Sequence, residues 1–207
     1  MKLPRFNEAN YAHFVTTKTF EDRPIFKDSS CCGILLKDID FYRNRLGFKL
    51  LGYCIMLDHL HLIVWWDVDE NKVLTISKII QSIKSHSAKE ILNYLNTGRR
   101  KPSLSPYSQA ASEGSPLPSG YKWVDKGLVH TPAIDKIWQK SFYDFNIYSE
   151  EKLREKLNYI HWNLPLRGIT RRVTVRAGLC KKPEDWPWSS CSFYKYGRQR
   201  EIKIDII

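Results

Sequence analysis

The alternation of apolar and polar residues in the first part of the chain predicts a strand followed by a helix. Residues 11–19 (YAHFVTTKT) are rich in β-branched and aromatic side chains, which favour a strand. In residues 29–45 the apolar positions recur at helical spacing. Ser29 or Ser30 is predicted to cap this helix, and Gly47 to end it, because glycine readily adopts the left-handed conformation that terminates helices.

Two apolar runs come next and predict a buried hairpin. Residues 48–57 and residues 59–66 are each long enough for one strand, with Asp58 at the turn between them. Residues 75–95 form the clearest helix of the sequence, with Lys84 on its solvent-facing side. Its apolar stripe consists of Ile76, Ile79, Ile80, Ile83, Ala88, Ile91, Leu92 and Leu95.

The second half of the chain begins with a segment that has few apolar residues. Residues 97–132 are dense in Gly, Ser and Pro and are predicted to be an irregular insertion rather than a second domain. A strand is expected over residues 136–147 and a helix over residues 149–162, with Ser149 as its N-cap. Residues 164–207 form a basic tail with interleaved aromatic residues.

The order of these elements predicts an α+β fold. Strand, helix, two strands and helix are followed, after the insertion, by another strand and another helix. This order is typical of a small, mostly antiparallel sheet flanked by helices. We expect one domain over residues 1–207, because the insertion lacks the apolar residues for a core of its own.

The charge of the chain points to a partner. The 207 residues include 33 Lys and Arg against 22 Asp and Glu, a net charge of +11, which predicts a polyanionic partner. Aromatic residues make up 13% and favour single-stranded nucleic acid, whose bases stack on rings. An anionic membrane surface is disfavoured, because the basic residues do not lie on one amphipathic helix. Five Cys without CxxC spacing and the lack of a secretory leader predict a cytoplasmic protein.

His59 and His61 are the first candidates for chemistry. In a strand, positions i and i+2 project from the same face, so both imidazoles point the same way. Two imidazoles at this spacing can share one divalent ion if a third ligand comes from elsewhere. The alternative is a pair of histidines that are satisfied by hydrogen bonds on a half-buried strand.

Tyr159 and Asn163 are the second candidates. On a helix, positions i and i+4 lie on the same face, so the phenol and the amide would face one site. A tyrosine can act as a covalent nucleophile, but its pKa of about 10 means that it needs help, which a nearby metal ion can supply. Asn163 could be the third metal ligand. The alternative is an ordinary tyrosine of an amphipathic helix.

Three segments occur together in a characteristic order: GYCIMLDHLHLIVWW, IWQKSFYDFNIYSEEKLREKLNYIHWN and VRAGLCKKPEDWPWSSCSFY. They resemble the single-tyrosine HUH (IS200-like) transposases, and most closely the REP-associated tyrosine transposases. The His-hydrophobic-His motif of that family is matched by His59-Leu60-His61, and its YIHxN-like stretch by residues 159–163. The opening strand and turn, YAHFVTTKTFEDRPIF, also resemble the family.

The resemblance implies a ferredoxin-like HUH fold and metal-dependent cleavage and rejoining of single-stranded DNA at sites flanked by imperfect-palindrome hairpins. Tyr159 would be the nucleophile that forms a 5′-phosphotyrosine, and His59, His61 and Asn163 would bind Mg²⁺ or Mn²⁺. Candidate DNA contacts combine cations for phosphates with rings for bases: Arg167, Arg171, Arg172, Arg176, Lys181, Lys182, Trp186 and Trp188.

The sequence departs from the family's pattern at one place near the expected site. Relatives usually continue N-P-V-(K/R)-A-G after the helix, whereas residues 164–174 here contain an insertion with three arginines. Two other functions remain open: another HUH endonuclease, of the replication-initiator or relaxase type, and a domesticated hairpin-binding protein without useful cleavage. A monomer associated with the nucleoid is expected, although some relatives are dimers.

Overall fold

A four-stranded antiparallel sheet forms the centre of the molecule. The computed structural model describes residues 10–67, 73–97, 135–162 and 180–207. The strands are β1 (Ala12–Lys18), β2 (Lys49–Ile55), β3 (His59–Trp65) and β4 (Tyr143–Ile147), in the spatial order β2-β3-β1-β4. The helices are α1 (Ser29–Leu46), α2 (Ile76–Thr97), α3 (Glu150–Trp162) and α4 (Cys191–Tyr196). The predicted α+β class is confirmed.

The N-cap of the first helix lies one residue before the first predicted candidate, Ser29. The prediction of Ser29 or Ser30 as N-cap is wrong: Asp28 caps α1, and its carboxylate accepts a hydrogen bond of 2.8 Å from the amide of Ser30. The sequence alone does not distinguish Asp28 from the two serines, because Asp is as good an N-cap as Ser. The predicted end is confirmed, since Gly47 has φ 80° and donates its amide to the carbonyl of Arg43.

The two faces of the sheet are covered by different helices. Helix α3 contacts β2 and β4 on the face to which His61 points. On the opposite face, Leu60, Leu62 and Val64 of β3 are at most 1% exposed. Since α1 and α2 pack against each other and α1 contacts β2, these two helices cover that face. The apolar stripe predicted for α2 is buried or partly buried.

The strand predicted over residues 136–147 is too long. Only Tyr143–Ile147 pairs with β1, and Trp138 forms an isolated bridge with Thr19. Between them the chain leaves the sheet, and the carbonyl groups of Gln139 and Ser141 accept hydrogen bonds from the ammonium of Lys84. Lys84 is therefore not simply a solvated residue, because it satisfies carbonyls that a strand partner would otherwise bind.

The C-terminal segment covers the free edge of β2. The amide of Ile55 donates to the carbonyl of Trp188, and Cys54 forms a bridge with Ser189. Further along β2, the amide of Leu50 donates to the carboxylate of Asp205. The described part of the predicted tail is thus packed into the fold, which protects an edge strand from pairing with other chains.

The sequence analysis also predicted two insertions. The predicted insertion at residues 97–132 lies almost wholly outside the described residues, as do residues 164–174. In the described parts of the chain, no helix is both long and apolar enough to cross a bilayer. All five cysteines are free thiols.

Helix α3 lies close to the sheet because β2 has no side chain at Gly52. A Cβ atom at this position would lie 2.9 Å from Cδ2 of Leu157 and 3.1 Å from Cδ1 of Ile160. Both distances are shorter than normal van der Waals contact, so any larger residue would push α3 outward.

We predict that Gly52→Val lowers the free energy of unfolding by about 1–3 kcal/mol, because overpacking forces side chains and backbone to shift. Urea denaturation measures this value. The control is Gly33→Ala in α1, where a Cβ meets nothing within 4 Å. That change should raise stability by up to about 1 kcal/mol, since Ala favours helices over Gly. Equal stability of wild type and Gly52→Val would contradict the close approach of α3.

Candidate active site

The two histidines of β3 project from the same face, as their spacing predicts. The ring centroids of His59 and His61 are 4.8 Å apart, with the ring planes at 79°. His61 is paired with Thr16 of β1, and the side chains of Phe14 and Thr16 share this face. The histidine pair therefore lies on the same face of the sheet as α3.

A hydrogen bond at Nδ1 orients each imidazole. Nδ1 of His61 lies 2.8 Å from the hydroxyl of Thr16, and Nδ1 of His59 lies 2.6 Å from the carboxylate of Asp58. Hydrogen bonds of this kind fix the ring and the tautomer of metal-binding histidines. They leave Nε2 of each ring for another ligand. Asp58 thus both makes the turn of the hairpin and orients a histidine.

Burial keeps His61 neutral. Removal from water lowers its pKa well below the ordinary value, the neighbouring His59 lowers it further, and Asp58 opposes the shift. The hydrogen bond to His59 in turn lowers the pKa of Asp58. A neutral imidazole is the form that binds a metal ion, so His61 needs no deprotonation before it can act as a ligand.

Tyr159 of α3 lies against the histidine pair. Its ring centroid is 5.5 Å from that of His61 and 5.7 Å from that of Phe14, and Phe14 is itself 5.6 Å from His61. Tyr159 remains 36% exposed, so a large substrate can reach it. Tyr143 of β4 also contacts Phe14 edge-on and is exposed. The phenol of Tyr159 and the imidazole of His61 thus meet at one buried ring, with His59 next to His61.

The residues of this site fit a divalent metal ion. Two imidazoles with oriented rings and unused Nε2 atoms are two of the donors that such an ion needs. Among the described residues, no cluster of three or more His, Cys, Asp and Glu could hold a metal. Within the described residues, the third position is therefore left to an amide, a water molecule or the substrate. Asn163, the predicted third ligand, lies outside the described residues.

His161 points away from Tyr159, as expected for a residue two positions along a helix. It is 6% exposed, and its Nε2 lies 2.7 Å from the hydroxyl of Ser190. Burial lowers the pKa of His161 to about 4, so the ring is neutral. Ser190 also donates to the carbonyl and accepts from the amide of Tyr53 in β2. This link fastens α3 to the sheet through the C-terminal segment.

The predicted DNA-binding residues fall into three groups. Lys181 and Lys182 are exposed. Trp186 and Trp188 are only 9% and 7% exposed, and the indole of Trp186 donates to the carbonyl of Ile55. Buried rings cannot stack on bases, so these two tryptophans are corrected to core residues. The other four, Arg167, Arg171, Arg172 and Arg176, lie outside the described residues.

Sequence reasoning missed two residues of this site. Phe14 and Thr16 alternate along β1, and that alternation was the available signal. Which side chains of β1 meet β3 depends on the strand register, however, and the sequence alone does not state that Thr16 pairs with His61.

Sequence comparison agrees with the resemblance. The family described as "Transposase IS200 like" matches residues 8–106, just under half of the chain. The match includes the histidine pair and ends before Tyr159. No curated protein sequence matches the chain.

Comparison with solved structures supports the fold. A REP-associated tyrosine transposase bound to a REP hairpin is 16% identical, with a TM-score of 0.60, over 100% of this chain and 93% of that chain. A second structure, from Deinococcus radiodurans R1 and named as a candidate transposase, is also 16% identical. It has a TM-score of 0.43 and covers 77% of this chain and 95% of that one. The first match shows that the fold is shared.

We predict that Trp186→Phe destabilises the protein without weakening DNA binding. The change leaves the carbonyl of Ile55 buried and unsatisfied, which costs about 1–3 kcal/mol. Thermal unfolding measures the stability, and titration of a fluorescent single-stranded oligonucleotide below the transition measures affinity, which should stay within about twofold. If Trp186→Phe lost DNA affinity at unchanged stability, Trp186 would be a DNA-contacting residue instead.

Proposed function

Since residues 8–106 match the IS200-like transposases and the fold is that of a REP-associated tyrosine transposase, we propose that this protein cuts and rejoins single-stranded DNA with Tyr159 as its nucleophile. The observation that supports this most is the contact of Tyr159 with His61, 5.5 Å between ring centroids, on the face where both histidines project. The match to the family does not include Tyr159, so its role rests on this geometry and on the resemblance of residues 159–163.

The proposed reaction is a phosphoryl transfer that conserves the energy of the bond. The phenol oxygen of Tyr159 bonds to phosphorus and gives its proton to solvent. The bond from phosphorus to the 3′ oxygen breaks, and that oxygen keeps the electron pair and takes up a proton. The products are a 5′-phosphotyrosine and a free 3′-OH. A 3′-OH of another strand can reverse the step, so rejoining needs no nucleotide cofactor.

His59 and His61 would hold Mg²⁺ or Mn²⁺ through Nε2, with Asn163 as the proposed third ligand. The ion, when bound, stabilises the negative charge that develops on the phosphoryl oxygens. The protein's part is to orient both imidazoles and to keep His61 neutral. Asp58 and Thr16 orient the rings at Nδ1, and burial keeps His61 unprotonated.

The proposed substrate is single-stranded DNA flanked by imperfect-palindrome hairpins. The net charge of +11 suits a polyanion, and the solved structure of similar fold is bound to a REP hairpin. Lys181 and Lys182 are the described candidates for phosphate contact. We propose that a monomer acts, with residues 1–207 forming one domain, on DNA of the nucleoid.

We predict that wild-type protein forms a covalent adduct with hairpin-flanked single-stranded DNA in the presence of Mn²⁺ or Mg²⁺. Denaturing gel electrophoresis detects the adduct. Tyr159→Phe should form none, because it lacks the nucleophilic oxygen, while its DNA affinity stays near that of wild type. Tyr143→Phe is the matched control: Tyr143 also contacts Phe14 and is exposed, yet its variant should retain the adduct.

The outcomes separate the alternatives. Tight hairpin binding without an adduct would favour the domesticated DNA-binding protein. An adduct with unstructured single strands but no preference for hairpins would favour another class of HUH endonuclease. An adduct that persists in Tyr159→Phe would remove Tyr159 as the nucleophile.

We predict that Thr16→Val weakens Mn²⁺ binding by about 10- to 100-fold, because His61 loses the hydroxyl that orients its ring. Isothermal titration calorimetry measures this affinity. Thr17→Val is the matched control, since Thr17 lies on the opposite face and its hydroxyl is buried without a hydrogen-bond partner in the described structure. Equal affinity of both variants would show that Thr16 does not support a metal ligand.

A further inference from the structure

Helix α3 presents a lysine beside the proposed nucleophile. Lys156 precedes Tyr159 by three positions and therefore lies on the same side of the helix. Its ammonium is 5.5 Å from the ring centroid of Phe14 and 4.7 Å from that of Phe145. Phe14 is the ring that contacts both Tyr159 and His61. A cation is thus placed against the ring at the centre of the candidate active site.

The surroundings of Lys156 hold its charge in place without cancelling it. Its side chain is only 18% exposed, and two aromatic faces attract the ammonium. Glu155 is shared: its carboxylate lies 2.6 Å from the ammonium of Lys152 and 3.3 Å from that of Lys156. These two lysines lower the pKa of Glu155, so it is ionised. Two cations and one anion leave a net charge of +1.

We propose that Lys156 is a catalytic residue whose ammonium binds a non-bridging oxygen of the phosphodiester that Tyr159 attacks. This inference rests on the proposed function. The attacked phosphate must lie at the phenol of Tyr159, which borders Phe14, and the ammonium already lies at that ring. Phosphoryl transfer spreads negative charge over the non-bridging oxygens, and a fixed cation stabilises that charge. Lys156 keeps all its protons and forms no covalent bond.

The neighbouring lysine provides a matched control. Lys152 lies one turn earlier on α3, carries the same charge and pairs with the same carboxylate. In the described structure, the ammonium of Lys156 lies over the ring of Phe14, whereas that of Lys152 makes no such contact. Replacing either lysine by Gln lowers the net charge of the protein by one and removes one ion-pair partner from Glu155. Only Lys156→Gln removes a cation from the ring beside Tyr159.

The test is the single-turnover rate of adduct formation at saturating hairpin-flanked DNA with Mn²⁺. We expect Lys156→Gln to be slower by about 10²- to 10³-fold, the usual effect of removing one donor to a developing oxyanion. Lys152→Gln should stay within about twofold of wild type, and Lys156→Arg should recover part of the rate. The slope of log affinity against log salt should fall by about 0.7 for Lys156→Gln, as for one lost phosphate contact on a single strand.

Several results would overturn the inference. One is an unchanged rate in Lys156→Gln, and another is an equal loss in both Gln variants, which would indicate general electrostatics. Lys156→Met retains the apolar stem that packs on the rings, so a full rate in a folded Met variant would assign Lys156 to packing alone. If wild type forms no adduct, the proposed function fails and this inference with it. A wild-type adduct with an unaffected Lys156→Gln rejects this inference only.

Discussion

The close approach of α3 to β2 at Gly52 is the constraint on which the candidate active site depends. Leu157 and Ile160 occupy the space that a side chain at Gly52 would fill. On the following turn, His161 is tied to Ser190, which is itself bonded to the backbone of β2. With the helix fixed by packing and by this polar link, the ring of Tyr159 is held over the histidine face of the sheet.

Phe14 connects the parts of the site that differ in chemistry. Its ring contacts the imidazole of His61, the phenol of Tyr159 and the ammonium of Lys156. A rigid ring at this position restricts where each of these groups can lie, which is how catalytic groups are held in productive geometry. Burial of His61 by the same packing keeps its imidazole neutral. The packing that positions these groups is therefore also the cause of the neutral state of His61.

The C-terminal segment shows how composition can suggest the wrong role. Its Trp and basic residues resemble a nucleic-acid surface, yet Trp186 and Trp188 are buried beside β2. The edge of an antiparallel sheet needs hydrogen-bond partners, and residues 188–190 and Asp205 provide them. The exposed cations Lys181 and Lys182 remain on the surface of the same segment. The tryptophans and the lysines thus differ in burial, which is set by the tertiary structure and not by composition.

The sequence alone determined the α+β class, the hairpin of β2 and β3, and the common face of His59 and His61, because these follow from local periodicity and from a spacing of two. It also made Tyr159 the candidate nucleophile, through its helical spacing with Asn163 and through the resemblance of residues 159–163. Only the tertiary structure decided that Thr16 orients His61, that Phe14 contacts both His61 and Tyr159, and that β4 begins only at Tyr143. These features depend on strand register and on helix docking. Both are contacts between residues far apart in the chain, which no local pattern records.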